Sequence, residues 1–504
     1  MAVGAFDNWN RYLFQLSNAK ILTNKKKGIG IMMEKPLIHL FETRGRYYFY
    51  DVPKNSIVEI DKVSYEYISS IDNNDIGIAG LCEKSSHIKN LVYNGFLSPN
   101  KTKEIFHYDE DRLEYYLQNK VGTIILEVTQ QCNLRCEYCV FSGKYENRKH
   151  SNKKMSIGTA KKGIDFVFDR SKESEQIVVG FYGGEPLLEF GFVKGIVEYS
   201  EQLFDGKELL FSFTTNGTLL DLEKVEYLKS HNVSILISLD GPAEINDKNR
   251  HFAKGSSSPF LKVKQNLENI ISHYPEFANK LAISAVVDPS SDFACTNDFF
   301  VNSELTENAL YIKGGFISPL NKKDPVTTTE DFIEKYNYEI FKLYLSKLNK
   351  LDKKYISRLM LDHYQERKVF YDKLNNKNVS GERVHVGGGC VPGIQKLFMD
   401  VTGNLYPCEK VNAESDALNI GNIETGFNID KVRQVLNVGK LTESLCKDCW
   451  SMKLCPLCAL FADDGKELSS TKKVENCKNV KKANEDRLKD VCTLIELGVD
   501  FQIV

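Results

Sequence analysis

The sequence predicts an α/β protein: a partial barrel of six β/α units, preceded by a winged-helix-like module and followed by a cysteine-rich domain. Three observations predict it. From about residue 120, six strand-like runs alternate with amphipathic segments; repeated β/α units imply a parallel sheet, and six of them leave the barrel incomplete. Ahead of them, three short β-branched and aromatic runs and two helical ones are crowded into residues 37–112. Finally, ten of the thirteen cysteines fall into two groups, at 132–139 and 390–477.

Residues 1–36 carry the basic stretch "NKKKG" and little periodicity, and read as an N-terminal extension. In the 37–112 module, "LIHLFETRGRYYFYDV" reads as two strands around a tight turn at Arg44–Gly45, and "NSIVEI" as a third. Apolar residues at helical spacing follow in "VSYEYISSI" and "HIKNLVYNGFL". The barrel spans 118–315, with strands "TIILEV", "IVVGFYGG", "LLFSFTTN", "SILISLD", "LAISAVV" and "ALYIK". Between them lie helical segments such as "SIGTAKKGIDFVFDR" and "FLKVKQNLENIISHY". Residues 316–384 form a mainly helical bridge, and 385–504 the cysteine-rich domain.

A chain of 504 residues exceeds one ordinary domain, and 42% hydrophobic residues are enough for sizeable cores. The net charge of -2 gives no pull toward nucleic acid or anionic membrane. No apolar run approaches a membrane span and no signal layout opens the chain, so a cytoplasmic protein is expected. In a reducing compartment, clustered cysteines point to metal rather than disulfides. Cys82, Cys295 and Cys492 stand apart and read as small buried hydrophobes.

"TIILEVTQQCNLRCEYCV" puts Cys132, Cys136 and Cys139 within eight residues, behind a strand and with no fourth ligand beside them. Three thiolates can hold three corners of a [4Fe–4S] cube and leave one iron open; a zinc knuckle with a remote fourth ligand is the alternative. "FYGGEPLL" ends the second strand with Gly183, Gly184, Glu185 and Pro186. The glycines admit close backbone approach, and Glu185 can accept from an amino group.

Cys132-x3-Cys136-x2-Cys139, with Tyr138 just before the last thiol, resembles the signature of the radical S-adenosylmethionine (SAM) superfamily. The resemblance implies that SAM chelates the open iron and that an electron from the cluster cleaves its sulfonium. The resulting 5′-deoxyadenosyl radical then takes a substrate hydrogen. It assigns the Gly183–Pro186 element to the SAM amino group. It also makes Thr215 and Asn216 of "TTNGTLL", and Ser238, Asp240 and Arg250 of "SLDGPAEINDKNR", candidates for SAM contact. Arg250 suits the SAM carboxylate through its bidentate fork. Ordinary loop polar residues are the alternative for each.

Cys390-x12-Gly403-x4-Cys408, Cys446-x2-Cys449-x5-Cys455-x2-Cys458 and Cys477 resemble the SPASM extension of such enzymes, which holds two auxiliary [4Fe–4S] clusters. The usual pattern has three residues where two separate Cys455 from Cys458. Zinc ribbons are the alternative. The resemblance gives Cys446, Cys449, Cys455 and Cys477 to an outer cluster and Cys390, Cys408 and Cys458 to an inner one. Seven thiols cannot fill eight positions, so either His385 completes the inner cube or one iron stays open. Glu409 stands where sulfatase-maturing relatives place a proposed general base.

The resemblance therefore implies three [4Fe–4S] clusters, SAM, and an electron donor such as flavodoxin or ferredoxin. The leading expectation is a maturase that forms thioether crosslinks in a Cys-containing precursor peptide. The peptide's leader would add to the third strand of the 37–112 module. Carbon–carbon crosslinking, formylglycine formation and a non-enzymatic zinc scaffold are the rivals.

Overall fold

The structure, a computed structural model, describes residues 35–70, 78–100, 102–146, 148–374, 382–388 and 390–501. The "NKKKG" stretch and nearly all of the expected extension lie outside the described residues.

Strands β1 (Ile38–Glu42), β2 (Tyr47–Asp51) and β3 (Ser56–Ile60) form an antiparallel sheet in that order. Gly45, at φ +103°, makes the turn between β1 and β2. The helices Lys62–Ser69 and Ser86–Tyr93 follow, capped by Asp61 and Ser85. Central β2 is buried on both faces. Phe49 packs with Ile60, Ile68, Ile88 and Leu91 of its own module. Tyr48 and Tyr50 pack with Leu488, Val491 and Leu494 of the helix Cys477–Glu496. The hydroxyls of Thr43 and Tyr48 both donate to Glu496 at 2.6 Å. The sheet is thus pinned to the far end of the chain, with β3 as its outer strand.

The barrel strands are β5 (Thr123–Thr129), β6 (Gln176–Gly183), β7 (Glu208–Thr215), β8 (Val233–Ser238), β9 (Leu281–Val287) and β10 (Ile312–Phe316). They lie side by side in chain order, all parallel. Alternation sets the two faces. Ile124, Leu126, Ile177, Val179, Phe181, Phe211, Phe213, Ile235 and Ile237 join the helices in one large core, while Ile125, Glu127 and Tyr182 sit on the opposite, inner face. Ser156 and Ser258 cap the helices Ile157–Arg170 and Pro259–His273. β10 begins later than "ALYIK" predicts, although Leu310 N–H and Tyr311 O already bond to the Leu281 carbonyl and Ile283 N–H of β9; Arg358 donates to the carbonyls of Ala309 and Leu310.

The short strands β4 (Glu104–Ile105) and β11 (Arg383–Val384) pair in parallel. The large sheet does not stop at β5. β12 (Phe398–Met399) adds to β5 in parallel, with Phe398 opposite Ile125 and Met399 opposite Leu126. β13 (Asn404–Tyr406), β14 (Gly421–Asn422) and β15 (Gly426–Phe427) continue it antiparallel, giving ten strands. A Cβ at Gly163 would lie 2.6 Å from Met399 Cε, so the helix Ile157–Arg170 packs tightly across this junction. Among the described residues no helix is long and apolar enough to cross a membrane.

Candidate active site at the carboxyl ends of the barrel strands

The three-cysteine loop leaves β5 and is fastened along two backbone seams. On one side, Gly184 N–H donates to Thr129 O (2.7 Å) and Glu185 N–H to Gln131 O (2.9 Å). A Cβ would lie 2.3 Å from Thr129 O at Gly183 and 1.9 Å from Gln131 O at Gly184. The close approach these glycines permit is therefore to the cysteine loop itself, and Gly183 also adopts φ +132°. On the other side, Arg135 and Glu137 N–H donate to the carbonyls of His251 and Asn249, and Ala253 N–H to Asn133 O.

Burial pushes the Cys132 thiol up to about 12, Cys136 to about 11, and Cys139 upward as well. The three thiols lie within Coulombic reach of one another. Cys132 Sγ accepts from Leu134 N–H at 3.3 Å, and Cys139 Sγ from Phe141 N–H at 3.4 Å.

Glu185 is fully buried behind this loop. Its Oε1 accepts from Thr215 Oγ1 (2.8 Å) and Leu187 N–H (3.1 Å), and its Oε2 from Asn216 N–H (2.8 Å). Burial raises its pKa against those three bonds. Pro186 opens the short turn that follows. Asn216 Nδ2 reaches Asn133 Oδ1 at 2.8 Å, and Cys132 Sγ lies 3.7 Å away. The fork of Arg250, predicted to grip a ligand carboxylate, closes on Asp240: Nε to Oδ2 and Nη2 to Oδ1 are both 2.9 Å. Asp240 also accepts from Tyr138 Oη and from Val286 N–H, and the guanidinium sits 5.4 Å from the Tyr138 ring centroid. Ser238 ends β8 opposite Ser284. A cavity of about 430 Å³, lined by Arg250, His251, Phe252 and Ser256, opens beside these residues.

In the cysteine-rich region, Cys446 lies close enough to act on the charge of Cys449, Cys455 and Cys477, and Cys449 on that of Cys455 and Cys477. Cys458 stands in the same relation to Cys408 and to Cys390. The sequence thus sends Cys455 and its neighbour Cys458 to different sets. His385 packs edge-on against His107, with ring centroids 4.2 Å apart, and Nε2 donates to Gly388 O. Burial, and after it His107, lowers the imidazole to about 4. Glu409 Oε1 pairs with Lys396 Nζ at 2.7 Å, whereas its buried Oε2 has no hydrogen-bond partner among the described residues. Among those residues, no three His, Cys, Asp or Glu side chains converge on a point suited to a single metal ion. A cube instead takes one thiol per iron, from separate directions.

Of the isolated cysteines, Cys492 is buried, as predicted. Cys82 and Cys295 are only part-buried; Cys295 lies at a helix start, where its thiol donates to Glu244 at 3.3 Å. Sequence reasoning missed Glu127, Arg148 and Tyr182, which lie between the two ends of the site. The signal was present in "TIILEV": alternation puts Glu127 on the inner face, opposite Tyr182.

Residues 126–277 match the family model of the Radical SAM superfamily. The chain is similar to the radical SAM cyclopropyl synthase TigE of Paramaledivibacter caminithermalis, 26% identical over 54% of this chain and 57% of that protein. It is also similar to a cysteine-type anaerobic sulfatase-maturating enzyme of Clostridium novyi, 24% identical over 66% of this chain and 86% of that one. The chain spans about half the length of the first curated relatives it matches. Among solved structures, native anSMEcpe with bound AdoMet aligns with a TM-score of 0.51 at 19% identity, over 73% of this chain and 99% of that one, which establishes the shared fold. A three-thiol loop seated on a parallel partial barrel, a cysteine-rich extension of the same sheet, and these matches mark residues 126–277 as a Radical SAM superfamily domain.

Proposed function

We propose that this protein is a peptide maturase that forms thioether crosslinks, joining a cysteine sulfur to carbon in a ribosomally made precursor. The observation that carries the proposal is the division of ten thiols into sets of three, three and four, the two incomplete sets flanking one inner face of a continuous sheet. Buried thiols whose pKa burial has raised need a strong neighbouring positive charge before they ionise, and iron supplies it. Cys132, Cys136 and Cys139 would hold the SAM-binding [4Fe–4S] cluster. Cys390, Cys408 and Cys458 would hold the inner auxiliary cluster, and Cys446, Cys449, Cys455 and Cys477 the outer one. When bound, these groups supply an electron, a 5′-deoxyadenosyl radical that abstracts hydrogen, and a Lewis-acid corner for sulfur.

The chain's own residues order that chemistry. Glu185 and Asp240 brace the loops that would surround SAM, the first through Thr215 and Asn216, the second through Arg250 and Tyr138. With Arg250 committed to Asp240, the ends of β7 and β8 and the main chain of residues 183–186 are left to meet SAM. Glu409 Oε2, held beside Cys408 and unpaired, is placed to take the proton of a substrate thiol. The outer edge of β3 offers a leader peptide a row of backbone groups for strand addition. An electron donor of the flavodoxin or ferredoxin kind completes the cycle.

Co-expression with each short open reading frame beside this gene, followed by tandem mass spectrometry, tests the proposal. A mass loss of two hydrogens, with fragments bridged at a cysteine, is expected. An unmodified peptide in every case overturns it. Formylglycine formation is the second reading, favoured by the 86% of the C. novyi enzyme's length that the chain covers. It predicts modification of a peptide without any leader and full activity after loss of residues 35–100.

A further inference from the structure

One buried cation is not used above. Arg148 is only 4% exposed and lies between the rings of Phe141 and Phe398, 5.4 and 4.7 Å from their centroids, a setting that suits a planar guanidinium. Its Nη2 donates to the carbonyls of Glu409 and Val411, both at 3.1 Å, so it fastens the barrel to the loop carrying Cys408. Its Nε and Nη1 are buried without a hydrogen-bond partner among the described residues. On β5, Glu127 is fully buried. Its Oε2 accepts from Gln130 Nε2 (3.1 Å) and Val401 N–H (3.3 Å), and its Oε1 has no hydrogen-bond partner among the described residues. The two side chains act on one another through charge, yet their unpaired atoms do not meet. Tyr182 stands opposite Glu127 on β6 and packs on Phe398, completing an inner ledge between the two incomplete thiol sets.

Leaving a buried polar atom unpaired costs about 1–3 kcal/mol, and more when it belongs to a charged group. Three such atoms, Arg148 Nε and Nη1 and Glu127 Oε1, belong to two side chains that act on one another's charge, and together they leave hydrogen bonds for one further group to complete. An apolar group would satisfy none of them. A carboxylate would suit Arg148 but would meet the free oxygens of Glu127 and Glu409. A secondary amide carries one acceptor and one donor, which is what the ledge lacks. We propose that Arg148 and Glu127 form a receptor for one backbone amide of the peptide being modified. The carbonyl accepts from Arg148 Nε or Nη1, and the N–H donates to Glu127 Oε1. The inference rests on the reading of the substrate as a peptide and adds how its reacting residue is held.

The test uses the anaerobically reconstituted full-length holoenzyme with SAM, and saturation-transfer NMR. The probes are acetyl-cysteine N-methylamide and its two analogues with one amide exchanged for an ester. In the wild type, one of the two exchanges should weaken binding about tenfold, the value of one hydrogen bond to a charged group. Glu127→Gln should weaken the all-amide probe by a similar factor and leave that ester unaffected, a coupling that a merely structural role does not produce. Arg148→Gln should weaken all three probes about tenfold, and Arg148→Lys should recover only part of the loss. Iron content and thermal midpoint identify a variant that has failed to fold, and near-isosteric Glu127→Gln carries the test alone in that case. Equal binding of all three probes by the wild type, no binding of any, or acetate displacing the amide overturns the receptor. Selective amide binding by an enzyme that modifies no co-expressed peptide leaves the receptor standing and removes the proposed function. Crosslinking by Glu127→Gln at unchanged KM removes the receptor alone.

Discussion

The loop with Cys132, Cys136 and Cys139 and the region with the other seven clustered thiols face the same sheet but are built in opposite ways. The first takes all its sulfur from eight consecutive residues and is held by main chain against main chain, at Thr129, Gln131, Gly184, Glu185 and residues 249–253. The second gathers thiols from residues 390–477 in loops and turns, at the end of one four-residue helix and at the start of one long helix. It depends on side chains from distant parts of the chain: Arg148, and the front module through Thr43 and Tyr48. The lesson is that a backbone seam tolerates almost no substitution at its glycines, while a side-chain scaffold loses stability by degrees.

The largest expected effect tests the first region directly. Replacing Cys132, Cys136 and Cys139 together by Ala should abolish deoxyadenosine formation and remove about a third of roughly twelve irons, as read by chromatography and iron assay. Persisting SAM cleavage would break the assignment of that loop. Gly184→Ala comes next: its Cβ would lie 1.9 Å from a main-chain oxygen that cannot move aside. A loss of more than about 3 kcal/mol in urea unfolding is expected, together with the iron loss of the triple variant. Its counterpart in the second region, Gly403→Ala, meets the end of the Ile423 side chain at 2.8 Å and carries φ +89°. It should cost about 1–2 kcal/mol. Equal costs at the two glycines would break the contrast.

Acid should act first on the helical bridge that is tied to the last helix. His363 lies in the helix Leu361–Leu374, which Arg367 ties to Asp490 of the last helix at 2.8 Å. Burial, reinforced by Arg367 and Arg487, lowers His363 to about 4, against about 6.5 in an unfolded chain. Between those values the unfolded state binds more protons, so stability falls as pH drops from about 6.5 toward 4 and is flat above. A loss on the order of 2 kcal/mol is expected, which His363→Gln should flatten; an unchanged acid slope in that variant would remove the cause. The smallest effect belongs to the exposed Arg46–Glu59 pair on the front sheet, 3.0 Å apart. Arg46→Ala should change stability by less than about 1 kcal/mol, with iron content untouched.

The same contrast explains what could be read in advance. The six barrel strands and the three-thiol loop announce themselves because both are local: alternation, flanking helices and close spacing sit within one window of sequence. β12 to β15 did not, since two or three residues have no period, and their place in the sheet is settled by the pairing of β12 with β5, far earlier in the chain. Arg250 looked ready for a ligand because its partner Asp240 is a loop residue whose approach depends on the fold. The Gly183–Gly184 pair did signal close approach, but sequence could not say that the approach is to Thr129 and Gln131. Glu127 and Arg148 were passed over because charged side chains are ordinarily solvated; only the three-dimensional structure shows them buried.

The pairing of β12 with β5 also sets a timetable for synthesis. When residues 123–316 have left the ribosome, all six parallel strands exist, but β5 still presents an unpaired edge, and its neighbour is not made until residue 398 emerges. At about 5–20 residues per second, that interval is on the order of ten seconds. An open strand lined by Ile124, Leu126 and Val128 is a template for another copy of itself. A nascent barrel of this protein must therefore wait, half finished, for its own distant tail, and a chain cut after the barrel would carry that sticky edge permanently.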